Sequence, residues 1–185
     1  MKETLLFFWE VIKIVLLALV IVIPIRYFVF QPFIVKGISM EPNFHDGDYL
    51  IIDEFTYHFR EPQRGEVIVF HYPQDPSQRF IKRVIGLPQE TITLDNDKII
   101  ITDKLGRQEV LDESSYLPQD WWEGEMTITL KDNQYFVLGD NRLHSYDSRN
   151  WGVLPRKYIV GRVIIRAWPP RAMAFFTTPS YSPSN

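Results

Sequence analysis

The chain has 185 residues, a formal net charge of −3, 23% charged residues and no cysteine. That length holds one domain with a small appendage, and without cysteine neither a disulfide framework nor a thiolate metal site is available. The scattered Lys and Arg residues make no basic face, which excludes nucleic acid as a partner.

Residues 5–30 read as a membrane anchor. Ile14–Ile25 is uncharged, but its 12 residues rise only ~18 Å as a helix. Val11–Phe30 counts 20 residues, ~30 Å, and spans a hydrocarbon core if Lys13 and Arg26 snorkel to their nearer interfaces. Pro24 is placed to kink the last turns. A cleaved signal peptide would end in small residues, yet 24–36 contains no Ala, Ser or Gly. The anchor is therefore expected to be retained. Lys2 and Lys13 on one side face Arg26 and Lys36 on the other, a weak charge bias for orientation.

Beyond the anchor, short runs rich in Val, Ile, Phe and Tyr alternate with Gly and Pro punctuation, the signature of strands. These runs are Phe33–Lys36, Tyr49–Asp53, Glu66–His71, Arg79–Leu87, Thr91–Leu94, Lys98–Thr102, Gln108–Leu111, Met126–Leu130, Gln134–Leu138 and Tyr158–Trp168. Asp95-Asn96-Asp97 reads as a hairpin turn. Asp112–Glu125, with Trp121 and Trp122, reads as a polar, aromatic loop. The soluble part is mostly β. The expected organisation is an N-terminal segment and anchor over 1–30, a β-rich domain over 31–176 and a Ser/Pro/Thr-rich disordered tail over 177–185.

Two polar stretches carry candidate chemistry. The first is Gly37-Ile38-Ser39-Met40-Glu41-Pro42, where Ser39 is a candidate nucleophile. A serine hydroxyl needs a base. Four histidines (His45, His58, His71, His144) offer a Ser-His-Asp site, and Lys82 offers a Ser-Lys dyad. Ser39 lacks a Gly-x-Ser-x-Gly context and no histidine has an evident orienting acid, which disfavours the first. His45, His58 and His71 stand 13 residues apart, not at i, i+4, so no metal is expected. The second stretch, Gly139–Gly152, is dense in carboxylate, guanidinium and hydroxyl groups yet flanked by Phe136, Val137, Leu138 and Trp151. Such groups need partners once buried, and Arg83–Asp140 or Asp147–Arg149 pairs supply them.

Taken in order, these boxes resemble those of the bacterial type I signal peptidases (leader peptidases). The anchor runs into Gln31-Pro32-Phe33, then come Ser39-Met40-Glu41-Pro42, Arg64–Phe70, Ile81–Pro88 and Gly139–Arg149, covering residues 5 to about 168. The resemblance implies a coiled, mostly antiparallel β-sheet domain with a small β extension, which fits residues 88–133. It also implies a serine endopeptidase, without cofactor, that removes signal peptides from exported preproteins. Ser39 would be the nucleophile, Lys82 the general base, and Ser145 a hydroxyl that hydrogen-bonds the lysine amine. Arg83 with Asp140, and Asp147 with Arg149, would support the site. Phe33, Val35, Met40 and Ile81 would line shallow pockets that hold an extended peptide with small residues at −1 and −3. The enzyme would be a single-pass protein of the cell membrane, its catalytic domain against the bilayer on the extracytoplasmic side.

Two departures from the family pattern stand out. Gly37 replaces a serine whose hydroxyl helps form the oxyanion hole in some members, which shifts that task to the Ser39 N–H. Gln89-Glu90 replaces the usual Gly-Asp after the lysine box. Two other classes are consistent with parts of the chain: the self-cleaving Ser-Lys repressors, which carry a DNA-binding domain where this chain has its apolar helix, and a membrane-tethered β domain without catalysis.

Overall fold

The computed structural model describes the backbone of residues 2–28, 30–96, 98–117, 124–179 and 181; up to residue 30, it describes only the side chains of residues 4 and 7–20. Trp121, Trp122, Asp97 and residues 182–185 of the expected tail lie outside the described residues.

The first element is the helix α1 (Lys2–Phe28), which continues through Pro24. Apolar residues stand on all its sides between Phe7 and Val20, and all are exposed, so no amphipathic stripe packs on the β domain there. Glu10 and Lys13 pair across one turn at 2.6 Å. Among the described residues no helix is long and apolar enough to cross a membrane. The part of α1 with consecutive described side chains, 7–20, rises ~21 Å, less than a hydrocarbon core.

The remaining chain folds into two antiparallel sheets. The larger contains β1 (Phe30–Ile34), β2 (Tyr49–Asp53), β3 (Val67–Tyr72), β4 (Asp75–Gly86), β9 (Gln134–Leu138), β10 (Leu154–Pro155), β11 (Ile159–Trp168) and β12 (Ala174–Phe175). Its spatial order is β1-β2-β11-β3-β4-β9-β10, with β12 paired to β11. The smaller sheet, ordered β7-β6-β5-β8, comprises β5 (Thr91–Asp95), β6 (Lys98–Thr102), β7 (Gln108–Val110) and β8 (Glu125–Thr129). It falls within residues 88–133.

Period-2 alternation sends neighbouring side chains of β3 into different cores. Val67 and Val69 join Met40, Phe44, Leu50 and Ile52 on one side, while Ile68 and Phe70 join Val84, Tyr135 and Val137 on the other. A third core, with Ile85, Ile92, Leu94, Ile99 and Phe136, joins the two sheets. Each fully buried Leu, Ile or Phe contributes about 1.5–3 kcal/mol, so the strands around the site are held from both faces.

Three expectations need correction. The first strand runs Phe30–Ile34, not Phe33–Lys36, so Phe30 pairs with Asp53 instead of ending the apolar helix, which stops at Phe28. The fourth strand begins at Asp75, not Arg79, because residues 75–79 extend a hairpin with mostly exposed polar side chains and so carry no hydrophobic alternation. The tail expected over 177–185 is not wholly free of structure. Tyr181 packs on the third core, shortly after Phe176 of the β domain, whose ring lies 4.5 Å from that of Phe44 and whose N–H bonds the Ile164 carbonyl. At Tyr181 one aromatic side chain outweighs the Ser/Pro/Thr composition around it.

Candidate active site

Ser39 sits on a tight turn between β1 and β2. The Glu41 N–H reaches the Ile38 carbonyl at 3.1 Å and the Phe44 N–H reaches Met40 O at 2.9 Å. Met40 and Phe44, both wholly buried, pin the turn to the core. Gly37 adopts φ +85, a left-handed conformation that L side chains rarely take. Its N–H is bound to Asp46 Oδ1 at 2.6 Å. The Ser39 N–H has no hydrogen-bond partner among the described residues.

Lys82 approaches this turn from β4. Its Nζ lies 2.8 Å from Ser39 Oγ and 2.8 Å from the Ile81 carbonyl. The residue is only 4% exposed, opposite Ile68 in the ladder and with the Phe80 ring 5.6 Å from the amine. Burial pulls the Lys82 pKa down from its ordinary 10.5 to about 8, because desolvation disfavours the ammonium. Asp147 and Asp140 pull it back up and Arg149 opposes them. Each carboxylate is occupied by a guanidinium. Arg83 Nε and Nη2 grip Asp140 at 2.8 and 2.6 Å, and Arg149 Nε and Nη2 grip Asp147, both at 2.8 Å. Pairing blunts the field of both acids at the amine, which lets desolvation dominate.

The polar loop after β9 holds the backbone of Ser39. The Asn141 N–H donates to Ser39 O at 3.1 Å, and Asn141 Nδ2 donates to Ile38 O at 3.2 Å. Asp147 also accepts the Gly139 N–H at 3.0 Å and caps the short helix α2 (Ser148–Trp151). Gly139 is required for close approach. A Cβ there would overlap Ser145 Oγ and crowd the Ser39 carbonyl. Asn141 was legible only as a member of a polar loop, and the buried Glu113–Arg142 pair (2.6 Å) not at all.

Some expected roles differ. Ser145 Oγ is buried without a hydrogen-bond partner among the described residues, and the Ile81 carbonyl holds the amine's second position. A cleft of about 730 Å³ opens over Ser39 and Lys82, lined by Phe33, Ile34, Ile38, Phe80, Ile81, Tyr146 and others. Phe33 and Ile81 are on that wall. Val35 and Met40 are not; at 2% and 0% exposure they belong to the core beneath it. The turn after the lysine box is stable despite its unusual residues: Gln89 takes φ +69, and Glu90 accepts from the Leu87 N–H and pairs with Arg64. No cluster of metal-ligating side chains occurs among the described residues.

The family model described as signal peptidase, peptidase S26, matches residues 8–168. A signal peptidase I of Leptolyngbya laminosa is 38% identical over 167 residues, 86% of this chain and 79% of that protein. Signal peptidase I P of Bacillus subtilis subsp. natto is 34% identical over 158 residues, 81% of this chain and 83% of that protein. A crystal structure of a signal peptidase I from Enterococcus faecalis V583 superposes with a TM-score of 0.46 at 30% identity, covering 56% of this chain and 97% of that one. The chain belongs to the signal peptidase family, peptidase S26, and is a serine peptidase.

Proposed function

We propose that the protein is a membrane-anchored endopeptidase that cleaves N-terminal signal peptides from exported preproteins with a Ser39–Lys82 dyad. The observation that carries this reading is a buried lysine amine, with its pKa lowered to about 8, placed 2.8 Å from Ser39 Oγ. At pH 7 a pKa of about 8 leaves roughly a tenth of the amine neutral, about 300-fold more than an ordinary lysine has. The neutral amine accepts the Ser39 proton as Oγ attacks the scissile carbonyl. The ammonium then protonates the departing amine, and the same lysine takes a proton from the water that hydrolyses the acyl-enzyme. The unengaged Ser39 N–H is the donor available to the oxyanion, since the Gly37 N–H is held by Asp46. The free Ser145 hydroxyl would orient the amine only after turning toward it.

The cleft lies between two strand edges. β1 ends the sheet, and β4 pairs with β9 only from Arg83 onward, which leaves 77–81 open on one side. An extended peptide can add to such edges, with alternate side chains meeting Phe33 and Ile81. The anchor reading rests on the uncharged run of 14–25 and on the apolar side chains exposed on all sides of α1 between Phe7 and Val20. With β1 following directly, the site stands at the bilayer surface, on the extracytoplasmic side.

The test incubates detergent-solubilised full-length protein with a preprotein and maps the cut by mass spectrometry. Cleavage after small −1 and −3 residues, lost in Ser39→Ala and Lys82→Ala, is expected. Substantial turnover by either variant would sink the dyad. Digestion of the β domain by protease added outside intact cells is the expected topology result, and protection there would reverse the orientation.

A further inference from the structure

The family match ends at residue 168, yet the chain beyond it folds back against the residues behind the site. We infer that Tyr181 is a positioning residue: with Pro179 it forms a strap that fixes Arg83 and Asp140, and through Asn141 the backbone of Ser39. This rests on the assignment of Ser39 as the nucleophile.

Gly65 is where the strap lands. A Cβ on Gly65 would meet Tyr181 Oη at 2.6 Å and Pro179 Cδ at 2.9 Å, so strap and turn are in direct contact. From there the bonds can be followed inward. The Tyr116 hydroxyl donates to Glu113, and a phenol has one proton, so the Tyr181 hydroxyl, 3.2 Å away, must donate to Tyr116 Oη. The Tyr116 ring carries the Arg83 guanidinium at 4.0 Å from its centroid. The Tyr116 carbonyl accepts from Asn43 Nδ2, which also reaches Asp140 Oδ2, each at 2.8 Å. Arg83 closes the loop by gripping Asp140 and donating to the Gly65 carbonyl at 2.9 Å. Glu113 in turn takes Arg142, whose Nε holds the Gly139 carbonyl at 2.8 Å.

Both routes converge on Gly139–Asn141. Asn141 holds the carbonyls of Ile38 and Ser39. Glu113 Oε2 is the one carboxylate oxygen of this network without a hydrogen-bond partner among the described residues; the remaining bonds hold the groups they join in place, and losing one member loosens its neighbours. A shift of about 1 Å at a nucleophile can cost up to ~100-fold in rate without altering substrate affinity, because orientation acts on the transition state.

The test compares full-length wild type with Tyr181→Ala, Tyr181→Phe and a chain ending at Pro179, all in detergent. Tyr181→Ala and the shortened chain are expected to lower kcat about tenfold with KM within about twofold. Tyr181→Phe, which keeps the ring against Gly65 but loses the proton donor, should fall between. Hydrogen–deuterium exchange should quicken in peptides covering 37–41 and 139–144 and stay unchanged in 154–160, which packs on the core that Tyr181 does not touch. A kcat in Tyr181→Ala within about twofold of wild type overturns the proposal, as does quickening spread equally over 154–160, which would signal loss of global stability. If wild type cleaves nothing, the dyad reading fails by itself and the exchange pattern still decides the strap.

Discussion

Replacing Lys82 by Met separates the two consequences of a buried base. Folding holds the Lys82 pKa near 8 against an ordinary 10.5, so the native state disfavours the ammonium by about 2.5 units. At 1.36 kcal/mol per unit that is a penalty of ~3 kcal/mol. The sign follows from linkage. Above pH 10.5 the amine is neutral in both states and costs nothing. Between pH 10.5 and 8 the unfolded chain binds the proton and the native state does not, so the penalty grows as pH falls. Below pH 8 it is constant. Methionine fills a similar volume and removes the penalty, but also removes the hydrogen bonds to Ser39 and Ile81, worth about 1 kcal/mol each. At pH 7 these terms nearly cancel, and the variant should be as stable as wild type or slightly more so. At pH 10.5 only the lost bonds remain, and it should be less stable by ~2 kcal/mol. The difference between the two pH values, ~3 kcal/mol, reports the penalty without any assumption about the bonds. Urea unfolding of both proteins in the same detergent at pH 7 and 10.5 measures it, alongside cleavage, which should be absent in the variant. An effect of the substitution on stability that is the same at both pH values would mean that Lys82 is a solvated amine, and the general-base assignment would fall.

Three further outcomes are expected. The cleavage rate should rise with pH through about 8 and level off above it, following the neutral Lys82 amine; a flat profile from pH 6 to 10, measured on a peptide substrate, contradicts this. Asp140→Ala leaves the buried Arg83 guanidinium without its bidentate partner and should cost about 3–5 kcal/mol in chemical denaturation, whereas a loss under 1 kcal/mol would show that the pair is screened. Gly139→Ala forces a methyl group into Ser145 and the Ser39 carbonyl, so activity should drop at least ~100-fold even where the fold survives; near-normal kcat would show that the loop has room to move.

Much of this arrangement can be read from the sequence because strands declare themselves by alternation. Tyr49–Asp53, Lys98–Thr102 and Gln134–Leu138 have the expected limits, since each is half or wholly buried beside turn residues. The hairpin from Asp75 to Arg79 is hidden by its solvent-facing polar side chains, and β10 and β12, of two residues each, are too short to carry a period. The Ser39 and Lys82 boxes are conspicuous. Their depth is not. Val35 and Met40 are apolar residues within four positions of Ser39, and only the turn's direction decides whether such residues face the cleft or the core. Glu113 and Arg142 are 29 residues apart, a pairing that no local pattern encodes. The tail shows the reverse error, where average composition masked Tyr181, an aromatic residue with a specific seat.

Lys82 and Arg83 are adjacent on β4, so the strand sends them to opposite faces, fixed by the pairings Ile68↔Lys82 and Val67↔Arg83. A slip of one residue in one direction would set the Arg83 guanidinium at Ser39, where it cannot surrender a proton, with Val84 facing Asp140. A slip the other way would carry Lys82 into the grip of Asp140, where it would be kept charged, with Ile81 facing Ser39. Either way both positions would fail together, with every side chain still present. Strand register is therefore a chemical variable in this enzyme: it assigns which of two neighbouring cations is permitted to become a base.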